Sequence, residues 1–200
     1  MTTQILWFAT RGSGIVSLIL FSAVACLGLL AVARTQSAWW PRFLTVELHR
    51  TLALLSVAFL AVHIATAVLD PFTHLGIAAA LVPLASAYRP LPVAFGVVSV
   101  YLVGAVVITS LLRDRIGHRT WRAIHWTSYA SWPLAVEHTL TAGSDAFALW
   151  MLGITALCVL AVGAALLIRI TAGGTNRSRL DAVTRGTADP LAVEAAWWND

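Results

Sequence analysis

Long uncharged stretches are the feature that most limits how this chain can fold. Four runs contain no Asp, Glu, Lys or Arg, and they cover residues 14–33, 51–69, 91–112 and 147–168. At a helical rise of about 1.5 Å per residue, each run is long enough to cross a hydrocarbon layer of about 30 Å. Of the 200 residues, 59% are hydrophobic and 11% are charged, against about 45–50% and about 25% in soluble proteins. The sequence therefore predicts an integral membrane protein.

A further span is predicted over residues 121–140, although it is the least apolar of the set. It carries Arg122, His125, Glu137 and His138, and such groups are costly when they face lipid. We therefore expect this helix, the fourth of five in chain order, to face the interior of the protein.

The expected fold class is an all-α membrane bundle of about five transmembrane helices. This bundle is predicted over residues 1–170, and a short polar cytoplasmic tail over residues 171–200. Residues 76–84 are apolar but too short to span a bilayer, so they are predicted to form a re-entrant or interfacial piece.

The basic residues, all 13 of which are arginine, predict an orientation. Two of them, Arg11 and Arg89, lie on one side of the predicted bundle. The other eleven follow the first, third or fifth span, and they are Arg34, Arg42, Arg50, Arg113, Arg115, Arg119, Arg122, Arg169, Arg177, Arg179 and Arg185. By the positive-inside rule the N-terminus lies outside and the C-terminus in the cytoplasm. Because topology accounts for the net charge of +4, nucleic acid is not expected as a partner.

Four of the six histidines occupy matched positions on two spans. His49 and His63 belong to the second span, and His125 and His138 belong to the fourth. Both spans run from inside to outside, and the two separations correspond to about 21 and 20 Å of helical rise. We therefore expect His49 to face His125 near the cytoplasmic side, and His63 to face His138 near the outer side.

The two spacings differ in the helix face that they define. At about 100° per residue, the 14 positions from His49 to His63 return to within about 40° of one face, whereas the 13 from His125 to His138 diverge by about 140°. The fourth span must therefore be kinked or locally rewound if both of its histidines face inward. Pro133 lies between them, and a proline inside a helix removes a backbone hydrogen bond and bends the helix.

Facing histidines from two helices can form a cofactor site in a bundle, and bis-histidine ligation suits haem iron. The sequence predicts two haems, one held by His49 and His125 and one by His63 and His138. With both axial positions filled, electron transfer is the expected chemistry and no catalytic residue is assigned. A zinc site is excluded, because zinc ligands converge within about 2 Å of one ion. The alternative is a non-redox membrane subunit whose histidines relay protons or connect helices.

Three stretches, residues 49–63, 112–119 and 121–138, give the chain a more specific likeness. In them it resembles the ferric reductase-like transmembrane domain. That superfamily includes the membrane domains of NADPH oxidases and ferric reductases, and the haem membrane subunit of the bacterial methionine sulfoxide reductase system. The resemblance extends over roughly residues 10–170, and it implies two b-type haems, the four histidines as axial ligands and transmembrane electron transfer. A quinol-linked cytochrome b has a similar four-histidine plan and stays open as an alternative, although the arginine-rich turn at 112–119 favours the ferric reductase group.

The resemblance also implies partners. The short segment 171–200 leaves no room for the flavin and nicotinamide domain of larger family members. We therefore expect an oxidoreductase subunit that receives electrons from a separate cytoplasmic flavoprotein or a membrane quinol, with flavin or quinone supplied by that partner. The acceptor is expected outside the cytoplasm. The protein is expected to be multi-pass, surrounded by lipid in a cell membrane such as the bacterial plasma membrane, with one helix of a six-span family plan lacking a counterpart.

Arginines near the predicted ligands are candidates for binding the anionic haem propionates. Arg50 and Arg122 lie nearest in sequence to the histidines of the inner pair, and Arg42, Arg119 and the outer Arg89 are further candidates. The alternative for each is a topology signal in contact with lipid headgroups. Three other residues, His74, His118 and Glu137, are left without an assigned role.

Overall fold

The computed structural model describes residues 2–33, 41–71 and 75–184. Within these residues the chain forms eight helices and no strand. The helices are α1 (Thr2–Ala33), α2 (Arg42–Leu69), α3 (Gly76–Leu81), α4 (Pro90–Leu111), α5 (Arg113–Ile116), α6 (His118–His125), α7 (Ser128–Ala142) and α8 (Leu149–Thr184). The predicted all-α fold class is confirmed.

Three of the predicted spans become helices that extend beyond the uncharged runs. Helix α1 continues back through Arg11, α2 includes both His49 and Arg50, and α8 continues past Ile170. Prolines define several of the boundaries. Asp70, which precedes Pro71, has extended backbone angles (φ −74°, ψ 114°), as expected for a residue whose helical conformation would clash with the following ring.

The short apolar segment after α2 forms the helix α3, which is too short to span, as predicted. Helix α4 then begins at Pro90, a favoured residue type for a first helical position. The preceding Arg89 has φ of +43°, an uncommon conformation for a residue other than glycine.

The predicted fourth span is divided between α6 and α7. Helix α6 ends at His125 and α7 begins at Ser128, whereas Pro133 lies inside α7. Local rewinding, and not a break at Pro133, therefore interrupts the span, so the association of the distortion with that proline is corrected. Between the helices the Thr127 amide donates to Ile124 O, three residues back, at 2.9 Å. A turn tightened in this way advances each residue by about 120° instead of about 100°, which recovers part of the rotation missing between His125 and His138.

Four helices of the described part of the chain are long and apolar enough to cross a membrane: Gln4–Ala33, Phe43–Leu69, Pro90–Leu111 and Leu149–Ala172. The divided α6–α7 segment is not one of them, since neither half is long enough alone. Large apolar side chains point outward along these helices, for example Leu54, Leu157 and Leu160, which are 59–70% exposed. Such a surface suits lipid and not water, so the protein is a multi-pass membrane protein.

The packing of the helices leaves a large internal cavity. Helix α1 packs against α2, α7 and α8, and α4 packs against α6 and α7. A small apolar core joins α1, α7 and α8 through Leu18, Val136, Met151 and Cys158. The cavity, of about 2170 Å³, is lined by residues of α1, α2, α4, α6, α7 and α8. This arrangement places α2 and the α6–α7 segment on two walls of one internal space.

Candidate cofactor site

The four predicted histidines line this cavity and meet in two pairs. The ring centroids of His49 and His125 are 6.3 Å apart with an interplanar angle of 59°. Those of His63 and His138 are also 6.3 Å apart, with an angle of 79°. Each pair joins one imidazole from α2 with one from the α6–α7 segment, so the structure brings the residues together in the predicted combination.

Three of the four imidazoles contact a backbone carbonyl through Nδ1. The contacts are His49 Nδ1 with Val24 O at 3.0 Å, His63 Nδ1 with Thr10 O at 2.8 Å, and His138 Nδ1 with Pro92 O at 2.8 Å. A carbonyl oxygen can only accept a hydrogen bond, so Nδ1 carries the proton in each case. The lone pair of the neutral ring is then on Nε2, and this is the arrangement that metal-binding histidines usually have.

A glycine lies against each of these three rings. A Cβ atom added at Gly14 would lie 2.8 Å from His63 Nδ1, and one added at Gly96 would lie 2.8 Å from His138 Nδ1. At Gly28 the nearest atom would be His49 Cε1, at 3.2 Å. The rings can therefore approach α1 and α4 this closely only because glycine has no side chain.

Each of these three histidines contacts one backbone carbonyl and one glycine of the same helix, and we call this combination a glycine–carbonyl cradle. In every cradle the carbonyl lies one helical turn, four positions, before the glycine. The three cradles are Thr10 with Gly14 for His63, Val24 with Gly28 for His49, and Pro92 with Gly96 for His138. The spacing of Gly14 and Gly28 on α1 equals the spacing of His49 and His63 on α2. These glycines were not predicted from the sequence, although their matched spacing was a signal that could have revealed them.

The fourth histidine is held differently. His125 Nδ1 is buried and has no hydrogen-bond partner among the described residues. Its ring instead stacks on Trp121, with centroids 4.9 Å apart and an interplanar angle of 30°. Trp121 Nε1 donates to Ser110 Oγ at 3.2 Å, so an indole anchored to α4 contacts this imidazole.

The donor set and the space fit haem. Within the described ranges no group of three or more His, Cys, Asp or Glu side chains is placed to hold a metal ion, so two histidines per site suit a metal that brings its own equatorial ligands. Two imidazoles that bind one metal from opposite sides at about 2.0 Å have ring centroids about 6 Å apart, as both pairs do. The volume of about 2170 Å³ exceeds twice the about 1,000 Å³ of a large single-ligand pocket.

Arginines lie at both ends of the cavity. Arg50, Arg119 and Arg122, which were predicted candidates, all contribute to its lining. Arg89 is not among the lining residues and donates to Thr141 O at 2.6 Å. The side chain of Arg42 lies outside the described set.

An arginine that was predicted only as a topology signal also reaches the cavity. Arg11 on α1 forms an ion pair with Asp145, donates to Ser144, and lies 3.9 Å from the ring centroid of Trp7. Arg11, Ser144 and Asp145 all line the end of the cavity that lies beyond the His63–His138 pair. A contact between two oppositely charged side chains so far apart along the chain cannot be predicted from one sequence.

A tryptophan lies between the two pairs in the α6–α7 segment. Trp132, which falls midway between His125 and His138 in the sequence, lines the cavity. Its Nε1 donates to Ser22 Oγ at 3.0 Å, and the Ser22 hydroxyl donates to Leu18 O at 2.8 Å. The indole is thereby anchored to α1.

Two of the three residues left without a role do not line this cavity. His118 is exposed, with its ring centroid 5.4 Å from that of Trp121, and Glu137 is exposed. Neither is among the residues that line the cavity. His74 lies outside the described residues.

Comparison with known proteins gives one family. A family model described as the ferric reductase-like transmembrane component matches residues 13–136, more than half of the chain, and confirms the predicted resemblance. The matched region includes His49, His63 and His125 and ends just before His138. No curated protein and no solved structure matches the chain.

Proposed function

The chain belongs to the ferric reductase-like transmembrane component family, whose members are membrane components of redox systems, and we propose that it is the di-haem subunit of a transmembrane oxidoreductase. One haem b lies between His49 and His125, and a second between His63 and His138. Electrons come from a cytoplasmic flavoprotein or a membrane quinol and pass to an acceptor outside the cytoplasm.

The single observation that supports this proposal best is the pairing of the imidazoles. Both pairs have the same ring-centroid distance of 6.3 Å, although they are separated by about 20 Å of helical rise. Three of the four rings have Nδ1 fixed to a carbonyl, which leaves Nε2 unprotonated for a metal. Equal separations of the rings at two depths of one cavity are what two identical cofactors require.

The chemistry follows from the ligands and the lining. Bound haem supplies a one-electron iron couple whose potential depends on the axial ligands and their surroundings. Two histidines would hold each haem iron, and this would leave no coordination site for oxygen or a substrate. Apolar side chains of α2 and α4, such as Val57, Leu60 and Val100, line the cavity between the pairs and make this part of it apolar.

Charged and aromatic side chains have supporting roles in this proposal. Arg50 and Arg122 line the cavity and are next to His49 and near His125 in sequence, where a guanidinium can bind a propionate. Trp132, anchored by Ser22, fills the space between the two sites.

The same contacts argue against a proton relay as the function. A relay needs groups that both accept and donate a proton. His49, His63 and His138 donate to backbone carbonyls, which accept but do not pass a proton on. Fixed rings of this kind suit metal ligation better than proton transfer.

The proposal is tested by the spectrum of the full chain purified in detergent after expression with ample haem. We expect a reduced-minus-oxidised difference spectrum typical of haem b and two haems per chain by pyridine haemochrome. A colourless protein would contradict the proposal. Reduction of the purified protein by a reduced flavin but not by a quinol, or the reverse, then identifies the class of donor.

A further inference from the structure

The cradle pattern is interrupted at one position of α4, which the spacing places at the depth of the fourth histidine. The two cradle glycines of α1, Gly14 and Gly28, both line the cavity. On α4 the same spacing, counted forward from Gly96, leads to Ser110, which also lines the cavity. The carbonyl that corresponds to Pro92 O is that of Val106. Ser110 therefore occupies the place of the glycine in a fourth cradle.

Ser110 blocks that fourth cradle in two ways, at the carbonyl and at the position of the glycine. Its hydroxyl donates to Val106 O at 2.6 Å. A helical carbonyl has two lone pairs, one of which accepts the amide of the residue four positions later. In the three intact cradles a histidine also contacts the carbonyl, whereas here the serine hydroxyl takes that place at 2.6 Å. A longer hydroxyl contact of 3.2 Å from the residue three positions on is common to an intact cradle, where Ser13 contacts Thr10 O, and to this one, where Thr109 contacts Val106 O. The serine Cβ also stands where the other rings contact a glycine.

A stacked tryptophan takes the place of the carbonyl contact that His125 lacks. Ser110 Oγ accepts a hydrogen bond from Trp121 Nε1, and the indole ring stacks on His125. Arg113 lies 4.6 Å from the centroid of the same indole. Meanwhile His125 Nδ1 stays buried without a partner among the residues described. An indole thus lies against the ring, and no acceptor among the described residues contacts Nδ1.

We propose that Ser110 and Trp121 are positioning residues that hold His125 in place of a glycine–carbonyl cradle, and that they make it the least basic of the four haem ligands. The inference rests on the proposed function, because it concerns His125 as an iron ligand. A hydrogen bond from the distal ring nitrogen raises the basicity of a ligating imidazole, and a more basic ligand favours the ferric state. Ser110 therefore keeps the reduction potential of the His49–His125 haem higher than a fourth cradle would.

The test is a matched pair of substitutions at one position. Ser110→Gly removes the hydroxyl and the Cβ, which opens Val106 O to His125, whereas Ser110→Ala removes only the hydroxyl. In redox titrations of the full chain we expect Ser110→Gly to lower the midpoint potential of one haem and to leave the other unchanged, with a smaller shift or none in Ser110→Ala. The His63→Ala variant, which retains only the His49–His125 haem, identifies the potential that should move. Equal shifts in the two serine variants, or a shift of the other haem, would overturn the proposal.

The reverse substitution guards against a folding defect in Ser110→Gly. Gly28→Ser places the same hydroxyl beside Val24 O in the cradle of His49, where the closest approach of an added Cβ is 3.2 Å. Since the serine then competes with His49 for the carbonyl, we expect the potential of the same haem to rise. An unchanged or lowered potential contradicts the inference.

A measurement without haem separates this inference from the proposed function. In the apo-protein labelled with ¹⁵N-histidine, and assigned by single histidine substitutions, we expect His49, His63 and His138 to show a fixed Nδ1–H tautomer and His125 not to. Ser110→Gly should add His125 to the fixed set, and Ser110→Ala should not. A fixed Nδ1–H on His125 in the unsubstituted protein overturns the inference, while absence of haem from the expressed protein overturns only the function.

Discussion

The two histidine pairs reach the same separation by different means. At the His63–His138 pair both rings are held by glycine–carbonyl cradles, with Nδ1–O distances of 2.8 Å at each. At the His49–His125 pair one ring has a cradle, with a longer Nδ1–O distance of 3.0 Å, and the other is held by a stacked indole. One site is therefore fixed by backbone on both sides, and the other depends on side chains on one side. The difference shows that equal spacing of ligands need not mean equal tolerance to substitution.

Removing a ligand is the strongest way to separate the two sites. His63→Ala or His138→Ala should reduce the haem content from two per chain to one, because a single imidazole at that depth remains. His49→Ala or His125→Ala should remove the other haem instead. Pyridine haemochrome quantitation together with redox titration distinguishes the two outcomes, since the two remaining haems should differ in potential.

His118→Ala is the control for these variants, because His118 is exposed and is not among the cavity-lining residues. It should retain both haems. If each of the four ligand variants lost half of both haems equally, the pairing by depth would be wrong.

Glycine substitutions test the cradles themselves, with the next largest effect. An added Cβ would lie 2.8 Å from the ring at Gly14 and Gly96 but 3.2 Å at Gly28. Gly14→Ala and Gly96→Ala should therefore displace His63 and His138 from their carbonyls and weaken haem binding about 10- to 100-fold, as loss of the hydrogen bond behind a metal-binding histidine typically does. Gly28→Ala should have a smaller effect, confined to the other site. Haem titration of the apo-protein measures both.

The same helices supply matched controls for the glycine series. Apart from the neighbouring backbone of its own helix, no atom of the described residues lies within 4 Å of a Cβ added at Gly12 on α1 or at Gly104 on α4. Gly12→Ala and Gly104→Ala should bind both haems normally and should slightly favour the helix. Equal losses in the control and cradle variants would show that the glycines serve the helices and not the histidines.

Most of the architecture could be predicted from the sequence, because it depends on local properties. Uncharged runs predicted the spanning helices, and the matched spacings of the histidines predicted which of them meet. The glycines at 14 and 28 were visible in the sequence, but their role depends on which face of α1 contacts α2. That is a property of tertiary packing.

The features that the sequence did not predict also depend on tertiary packing. Pro133 was the obvious candidate for distorting the fourth span, yet the helix rewinds around Thr127, where hydrogen bonds to carbonyls three residues back replace the helical pattern. The contact between Arg11 and Asp145 joins α1 to the segment between α7 and α8, and spacing along the chain does not predict it. The spacing of the histidines thus predicted the two pairs, whereas the contacts that hold these side chains could be found only in the fold.

Substitutions of charged residues compare the two ends of the cavity, with smaller expected effects. If Arg50 and Arg122 bind propionates, Arg50→Gln and Arg122→Gln should weaken haem binding at the His49–His125 site about tenfold or less, since exposed ion pairs contribute little. Asp145→Asn, at the other end, breaks an ion pair internal to the protein. It should change the unfolding free energy by about 1 kcal/mol or less and leave haem at the His49–His125 site unchanged. Haem titrations and thermal unfolding of the three variants give the comparison, and a haem loss at that site in Asp145→Asn alone would contradict it.

The smallest expected effect concerns Trp132, which belongs to neither pair and lies between them. Its hydrogen bond to Ser22 joins the α6–α7 segment to α1, so Ser22→Ala and Trp132→Phe should each lower the free energy of unfolding. A double-mutant cycle should give a coupling of about 1 kcal/mol, as expected for one buried hydrogen bond. Because this contact is shared by both sites and supports no ligand directly, the two haem potentials should move together or stay fixed in Ser22→Ala. A shift of only one potential would show that Ser22 supports that site alone, and the difference between the pairs would then extend beyond their cradles.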